Sequence, residues 1–246
     1  IREMHRSFGF KEIPNVSDLD KMKEDWLVTL ASPQDGMWES FRNHAIDWGI
    51  YLDESLVGYA VINDKNQLLQ FYLNPIHLAN GESIFKDFVD QRNIQSGIVG
   101  TNNPPFLSLA LHFTANIQVH SYLFRAYHPV DIATKNGVLK ECQKKDLESV
   151  INFCHYSIGA PKEWLAVYLG NLIERKEIFF LEKDDSIIGT CEVRKSETAP
   201  QYADIGMIVS PDFRKQGYGT FLLYEAKKIA SQQGRIPICS CEKDNL

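Results

Sequence analysis

Residues 214–220 read Arg-Lys-Gln-Gly-Tyr-Gly-Thr: two cations, then glycines at alternate positions. They stand between an apolar strand-like run at 204–209, closed by Ser210 and Pro211, and a stretch with helical periodicity. Such a junction is suited to holding a phosphate. Glycines let the main chain approach an anion without a Cβ in the way. The first N–H groups of the following helix have no internal partner and point outward, and the helix dipole adds roughly half a positive charge there. Arg-x-x-Gly-x-Gly is not a Walker loop, which needs Gly-Lys followed by Ser or Thr. Nor is it the dinucleotide fingerprint, which has a third glycine and a downstream acid. With no loop lysine of the Walker type, kinase and NTPase chemistry is disfavoured.

The elements around this loop follow from pattern. Leu222, Ala226, Ile229 and Ala230 share one face of a helix over 217–232, with Lys227, Lys228, Ser231 and Gln232 largely on another. Gly234 stops that helix, and Ile236-Pro237-Ile238-Cys239 begins a buried strand. A strand–helix–strand unit with so long a connection is expected to be a parallel crossover.

The same plan occurs twice. Residues 49–61 and 178–191 each read as strand, acidic turn, strand, and both carry Asp-x-Ser-aliphatic-aliphatic-Gly, at Asp53–Gly58 and Asp184–Gly189. A helical region precedes each hairpin, at 16–30 with more around 37–47, and at 145–171. A strand and helix follow each, at 67–73 and 81–90, then at 204–209 and 217–232. The predicted fold is therefore α/β with mixed sheets, in two modules over 1–130 and 137–246, joined through a polar run at 127–136.

Composition sets the outer limits. A chain of 246 residues with 44% apolar and 24% charged residues is that of a soluble globular protein with room for two domains. A formal charge of −6 argues against nonspecific nucleic-acid binding and fits an amine-bearing substrate. No apolar run has the length of a membrane span, and the first residues carry no apolar signal core. Five cysteines, an odd number lying mostly in apolar segments, point to reduced thiols and a cytoplasmic setting. Cys239-Ser240-Cys241 has no His or second Cys pair at metal spacing, and the seven scattered histidines show none either, which argues against zinc.

Taken in order, the hairpin at 178–191, the strand at 204–209, the loop Arg214–Gly219, the helix and the strand at 236–241 resemble the GNAT superfamily of acyl-CoA N-acetyltransferases. The resemblance extends from about Ile178 to the end of the chain. It implies acetyl-CoA as co-substrate, with its diphosphate on Gln216, Gly217, Tyr218 and Gly219, Arg214 and Lys215 at the flank, and the Thr220 hydroxyl nearby. It implies that the strand before the loop parts from its parallel neighbour, so that main-chain groups of Met207, Ile208 and Val209 meet the pantetheine arm and polarise the thioester carbonyl. Asn245 matches an asparagine that contacts the same arm. The acceptor is then an amine of a small molecule or peptide, which attacks directly. Glu192 is the candidate base, placed by alternation on the face opposite Cys191 and Val193; its structural alternative is a surface ion pair. Asp204 and Glu242 are weaker candidates. Tyr156 and Trp164 lie where GNAT enzymes form an acceptor-side lid, although helix packing would also account for them.

Two departures stand out. The first-module counterpart of the loop, residues 75–82, has one glycine, no Arg or Lys, and Glu82 at the helix start, where an anion would be repelled. That module is expected to be a GNAT-like relic without a CoA site. The second module ends without counterparts of 104–113 and 117–125, the helix and strand that close the first, and so looks incomplete at its C-terminus. Either chain beyond Leu246 or another segment would supply the cover and the usual tyrosine acid; residues 6–13 resemble the opening of such a closing strand. The competing function is a non-catalytic acyl-CoA sensor, which keeps the loop and needs no base.

Overall fold

The computed structural model describes residues 8–36, 38, 42, 45–125, 128 and 131–245. The chain divides into two compact units, Ile1–Gln118 and Val119–Leu246. In the first, strands β1 (Phe8–Glu12), β2 (Ile46–Leu52), β3 (Ser55–Ile62), β4 (Gln67–Leu73) and β5 (Ser96–Gly97) form a sheet in that order. β4 and β5 are parallel and the other neighbours antiparallel. Helices α1 (Asp20–Thr29), α2 (Gly81–Gln91) and α3 (Pro104–Phe113) complete the unit. Ile84, Phe85 and Phe88 of α2 are buried among Phe71 and Phe106, with the Phe71 and Phe85 rings edge to face at 4.9 Å. Trp26 of α1 packs against Tyr59, Val61, Leu69 and Tyr72 on a second core. Covered on both faces, β4 is apolar along nearly its whole length, as a doubly buried strand must be.

In the second unit the order is β6 (Ser121–Phe124), β11 (Ile236–Glu242), β10 (Tyr202–Val209), β9 (Ser186–Lys195), β8 (Ile178–Lys183), β7 (Val138–Glu141). Helix α6 (Tyr218–Gln232) buries Tyr218, Leu222, Ala226 and Ala230, spaced one turn apart, on Cys191, Val193, Ala203 and Ile205. Helices α4 (Leu147–Ile158) and α5 (Lys162–Glu174) bring Val150, Phe153, Leu165 and Leu169 to a separate core with Ile178 and Phe180. Gly159, left-handed at φ 71°, ends α4, and Pro161 precedes the first residue of α5. No helix is long and apolar enough to cross a membrane among the described residues.

Two mixed α/β modules are thus present, with three departures from expectation. The strand expected to close the first module forms at Ser121–Phe124, but it pairs antiparallel with β11, Ser121 opposite Glu242 and Phe124 opposite Cys239. The segment considered as cover for the second module instead forms β1 and pairs with β2 in the first. Of the helical region expected around 37–47, Trp38 is helical and Arg42 lies in a 3-10 turn, but Ile46 and Asp47 are strand, and most of the rest lies outside the described residues.

The repeated turn motif has a packing reason. Asp53, Asp184 and Asp185 take left-handed backbones in the turns, which Asp tolerates. The glycine that ends the motif allows close approach. A Cβ on Gly58 would lie 2.3 Å from the Tyr72 carbonyl oxygen, whereas one on Gly189 would meet the movable tip of Leu222 at 2.5 Å and the Ile208 oxygen at 3.1 Å. Gly58→Ala should therefore destabilise the fold by about 2–3 kcal/mol and Gly189→Ala by closer to 1, within the usual range for overpacking. Chemical denaturation of the two variants checks the order; the reverse ranking would contradict this packing.

Candidate functional site

Strand β10 supplies the framework. It pairs with β9 along its length, from Ala203 opposite Lys195 to Val209 opposite Gly189. Its parallel ladder with β11 covers only Tyr202–Asp204 against Ile236–Ile238 and then stops. From Cys239 onward β11 is held on its other side by β6. The two strands therefore part after Asp204, and main-chain groups of Met207, Ile208 and Val209 border the gap. Unpaired backbone groups there require water or a ligand to satisfy them.

The loop follows at the end of β10. A short 3-10 turn, Pro211–Phe213, leads into it, with the Phe213 N–H donating to the Ser210 carbonyl. Lys215 and Gly217 both have positive φ, 58° and 82°, and Gly217 caps α6. Tyr218, Gly219 and Thr220 form the first helical turn, with Tyr218 buried against Phe213 and Thr220 exposed. The Gln216 side chain donates to the Asp212 carbonyl and so buttresses the loop. The Arg214 guanidinium donates to the carbonyls of Val209, at 3.2 Å, and Ser157, at 2.7 Å, and so ties the end of β10 to α4. Asn245 lies in a turn after β11, its N–H donating to the Glu242 carbonyl.

Glu192 projects from β9 directly opposite Gly206 of β10. The glycine has no Cβ to occupy that face, and an added one would meet nothing within 4 Å, so the carboxylate has open space beside it next to the gap. Glu192 does pair with a nearby arginine, Arg194, but below the surface. Its side chain is 13% exposed, the Tyr168 hydroxyl donates to it at 2.6 Å, and Arg194 lies 3.5 Å away. Arg194 also donates to the Tyr168 oxygen and to Asp204, itself 3% exposed. Asp204 is thus committed to an ion pair, and Glu242 is exposed at its strand end. Burial raises the Tyr168 pKa, with the charge of Glu192 adding to the effect, so the phenol stays protonated and donating. The alternation of β9 made Glu192 visible in the sequence; Tyr168, brought to it from α5, carried no such signal.

Trp164 stacks on Tyr168, centroids 4.8 Å apart and planes 12° from parallel, yet remains 46% exposed. Tyr156 is 63% exposed, its hydroxyl 3.4 Å from Asp212. Neither ring is packed away in a helix interface. Tyr218, by contrast, is core.

The first module differs at the corresponding positions among the described residues. The residue three beyond the motif glycine, Glu192 in the second module, is Val61 in the first, and Val61 lies opposite Gln70 where Glu192 lies opposite Gly206. Gln70 is fully buried and donates to Tyr59. The β4–β5 ladder also stops early, but Phe106 and Leu109 of α3 close over β4 and the start of α2. A cavity of about 30 Å³ remains among them.

Two family models match in tandem: one described as an acetyltransferase (GNAT) domain over residues 15–127, the other as the acetyltransferase (GNAT) family over 144–246. Among solved structures, an acetyltransferase of the GNAT family from Colwellia psychrerythraea is similar at 32% identity and a TM-score of 0.89, over 96% of this chain and 91% of that one. A GCN5-related N-acetyltransferase from Sphaerobacter thermophilus shares the fold at 12% identity and a TM-score of 0.66, over 96% and 86%. A tandem GNAT protein of the clavulanic acid biosynthesis pathway does so at 14% and 0.60, over 98% and 91%. No curated protein matches the sequence. The chain belongs to the GNAT acetyltransferase family, with two GNAT modules in succession, and its fold is one that supports acyl transfer.

The cysteines give a test of this packing. Burial pushes the thiols of Cys142, Cys154 and Cys191 up to about 12, whereas Cys239 and Cys241 are partly accessible. Iodoacetamide at pH 8 should label Cys239 and Cys241 in the native protein, and the other three only after denaturation. Because folding holds those three thiols protonated, the native state should lose stability as pH climbs from about 9 toward 12. Rapid native labelling of Cys191 would contradict the arrangement.

Proposed function

We propose that the protein is an N-acetyltransferase that moves an acetyl group from acetyl-CoA to a primary amine of a small molecule or peptide by direct attack. The observation that carries this reading is the juxtaposition, on adjacent strands, of a parted β10 leading into a glycine loop and a recessed carboxylate opposite a glycine. Bound acetyl-CoA supplies an activated acyl group as a thioester.

The chain's own residues divide the remaining work. Main-chain N–H groups at Gln216, Gly217, Tyr218 and Gly219, with Lys215 and Thr220 beside them, hold the diphosphate. Met207, Ile208 and Val209 border the gap that takes the pantetheine arm, with Asn245 at its far side. Arg214 braces the loop, as its two carbonyl partners indicate. Glu192, fixed by Tyr168 and Arg194, takes the proton of the attacking ammonium, directly or through water. Positioning contributes most, since effective molarities of about 10⁵ M or more are available from it.

The division of labour is a degenerate module over 1–130 and a catalytic one over 137–246. The plugged gap and Glu82 support the absence of a CoA site in the first; CoA bound at residues 80–83 would refute it. An odd number of cysteines, mostly in apolar segments, supports a cytoplasmic setting.

Purified protein mixed with acetyl-CoA and a panel of amines should release free thiol only when an acceptor is present. Glu192→Gln should lower kcat by about 10²–10⁴-fold with little change in the KM for acetyl-CoA, the scale of a lost general base. Gly217→Val should abolish CoA binding in calorimetry; the left-handed φ of 82° strains a β-branched residue, so the melting temperature should fall while unfolding stays cooperative. Tight CoA binding with no turnover on any amine would favour a sensor, and unaltered binding by Gly217→Val would remove the loop from the site.

A further inference from the structure

Lys135 lies in the stretch leading into β7, about eighty residues before the glycine loop. Its ammonium nevertheless sits on that loop. A Cβ on Gly217 would come within 3.0 Å of Lys135 Cε and 3.1 Å of Nζ, and Nζ stands 5.8 Å from the centre of the Tyr218 ring. Among the described residues no carboxylate forms a salt bridge with it. This is the positive end of the α6 dipole, where a cation is repelled by the helix alone. It is the correct sign only if an anion lies between the ammonium and the first N–H groups of α6. Of the two cations on the loop itself, Arg214 is engaged by the carbonyls of Val209 and Ser157, which leaves Lys215.

We propose that Lys135 is a second side-chain cation of the diphosphate site, reaching over Gly217 to join Lys215, Thr220 and the main-chain N–H groups in the cradle. This rests on the reading of 214–220 as the CoA loop. CoA carries two anionic groups, the diphosphate and the 3′-phosphate. The closeness of Nζ to Gly217, where the main chain approaches its ligand, assigns Lys135 to the diphosphate. The Tyr218 ring under the ammonium keeps it in place by a cation–π contact.

Calorimetric titration with CoA and with 3′-dephospho-CoA, on the whole chain, separates the possibilities. Lys135→Met should weaken both ligands equally, by about tenfold or more, as loss of one charge-assisted contact does. Lys135→Arg, which keeps the charge, should stay within about threefold of the parent. The Met variant should also lose part of the salt dependence of binding, a change that a role in loop shape alone would not produce. Unchanged affinity of Lys135→Met overturns the proposal. A loss confined to CoA moves Lys135 to the 3′-phosphate and overturns the assignment to the diphosphate. A parent protein that binds neither ligand refutes the CoA reading of the loop itself, a separate failure.

Discussion

The parallel ladder between β10 and β11 lasts three residue pairs, and one of them includes Pro237, which has no N–H to give. Everything at the site depends on that early end. Each strand is secured on its outer side, β10 by β9 as far as Val209 and β11 by β6 as far as Glu242. The sheet can therefore open at its middle without leaving either strand loose. The opening leaves the main chain around Met207 and Ile208 without a parallel partner, an edge that favours an extended ligand with amides of its own.

The surrounding charges are arranged to keep this geometry fixed. Arg194 is the hub: it joins Asp204, at the point where the strands begin to part, to Glu192 and Tyr168 one rung further on. Largely buried ion pairs add little net stability over apolar residues of the same shape, but breaking one strands a charge in the interior. Such a cluster is better suited to holding a carboxylate at a set position than to strengthening the fold. The first module shows the alternative outcome on the same scaffold. With Val61 and Gln70 at the corresponding rung and Phe106 and Leu109 over the gap, the position is filled by apolar packing and by the hydrogen bond from Gln70 to Tyr59.

Local pattern carried much of this architecture. The one-turn spacing of Leu222, Ala226 and Ala230, the alternation that turned Glu192 from Cys191 and Val193, and the repeated Asp-x-Ser-aliphatic-aliphatic-Gly all reflect forces acting within a few residues. The remainder depended on distant encounters. Tyr168 reaches Glu192 from another helix, and the tie made by Arg214 requires the Ser157 carbonyl to be 2.7 Å away. Neither has a sequence periodicity to announce it. Residues 121–124 read correctly as a strand, yet their partner was misplaced, because pairing choice is settled by which edge is open and not by the strand's own composition.

That partner has a bearing on how the chain can be divided. Residues matched by the first family model, 121–124 among them, complete the sheet of the second module. A fragment begun after this strand would present the bare flank of β11, with Cys239 and Cys241 on it, as a template for pairing with other chains. The first family match thus ends inside the second compact unit, which begins at Val119. Excision, fusion or recombination at the apparent sequence boundary would remove a piece of the very sheet that holds the cleft open.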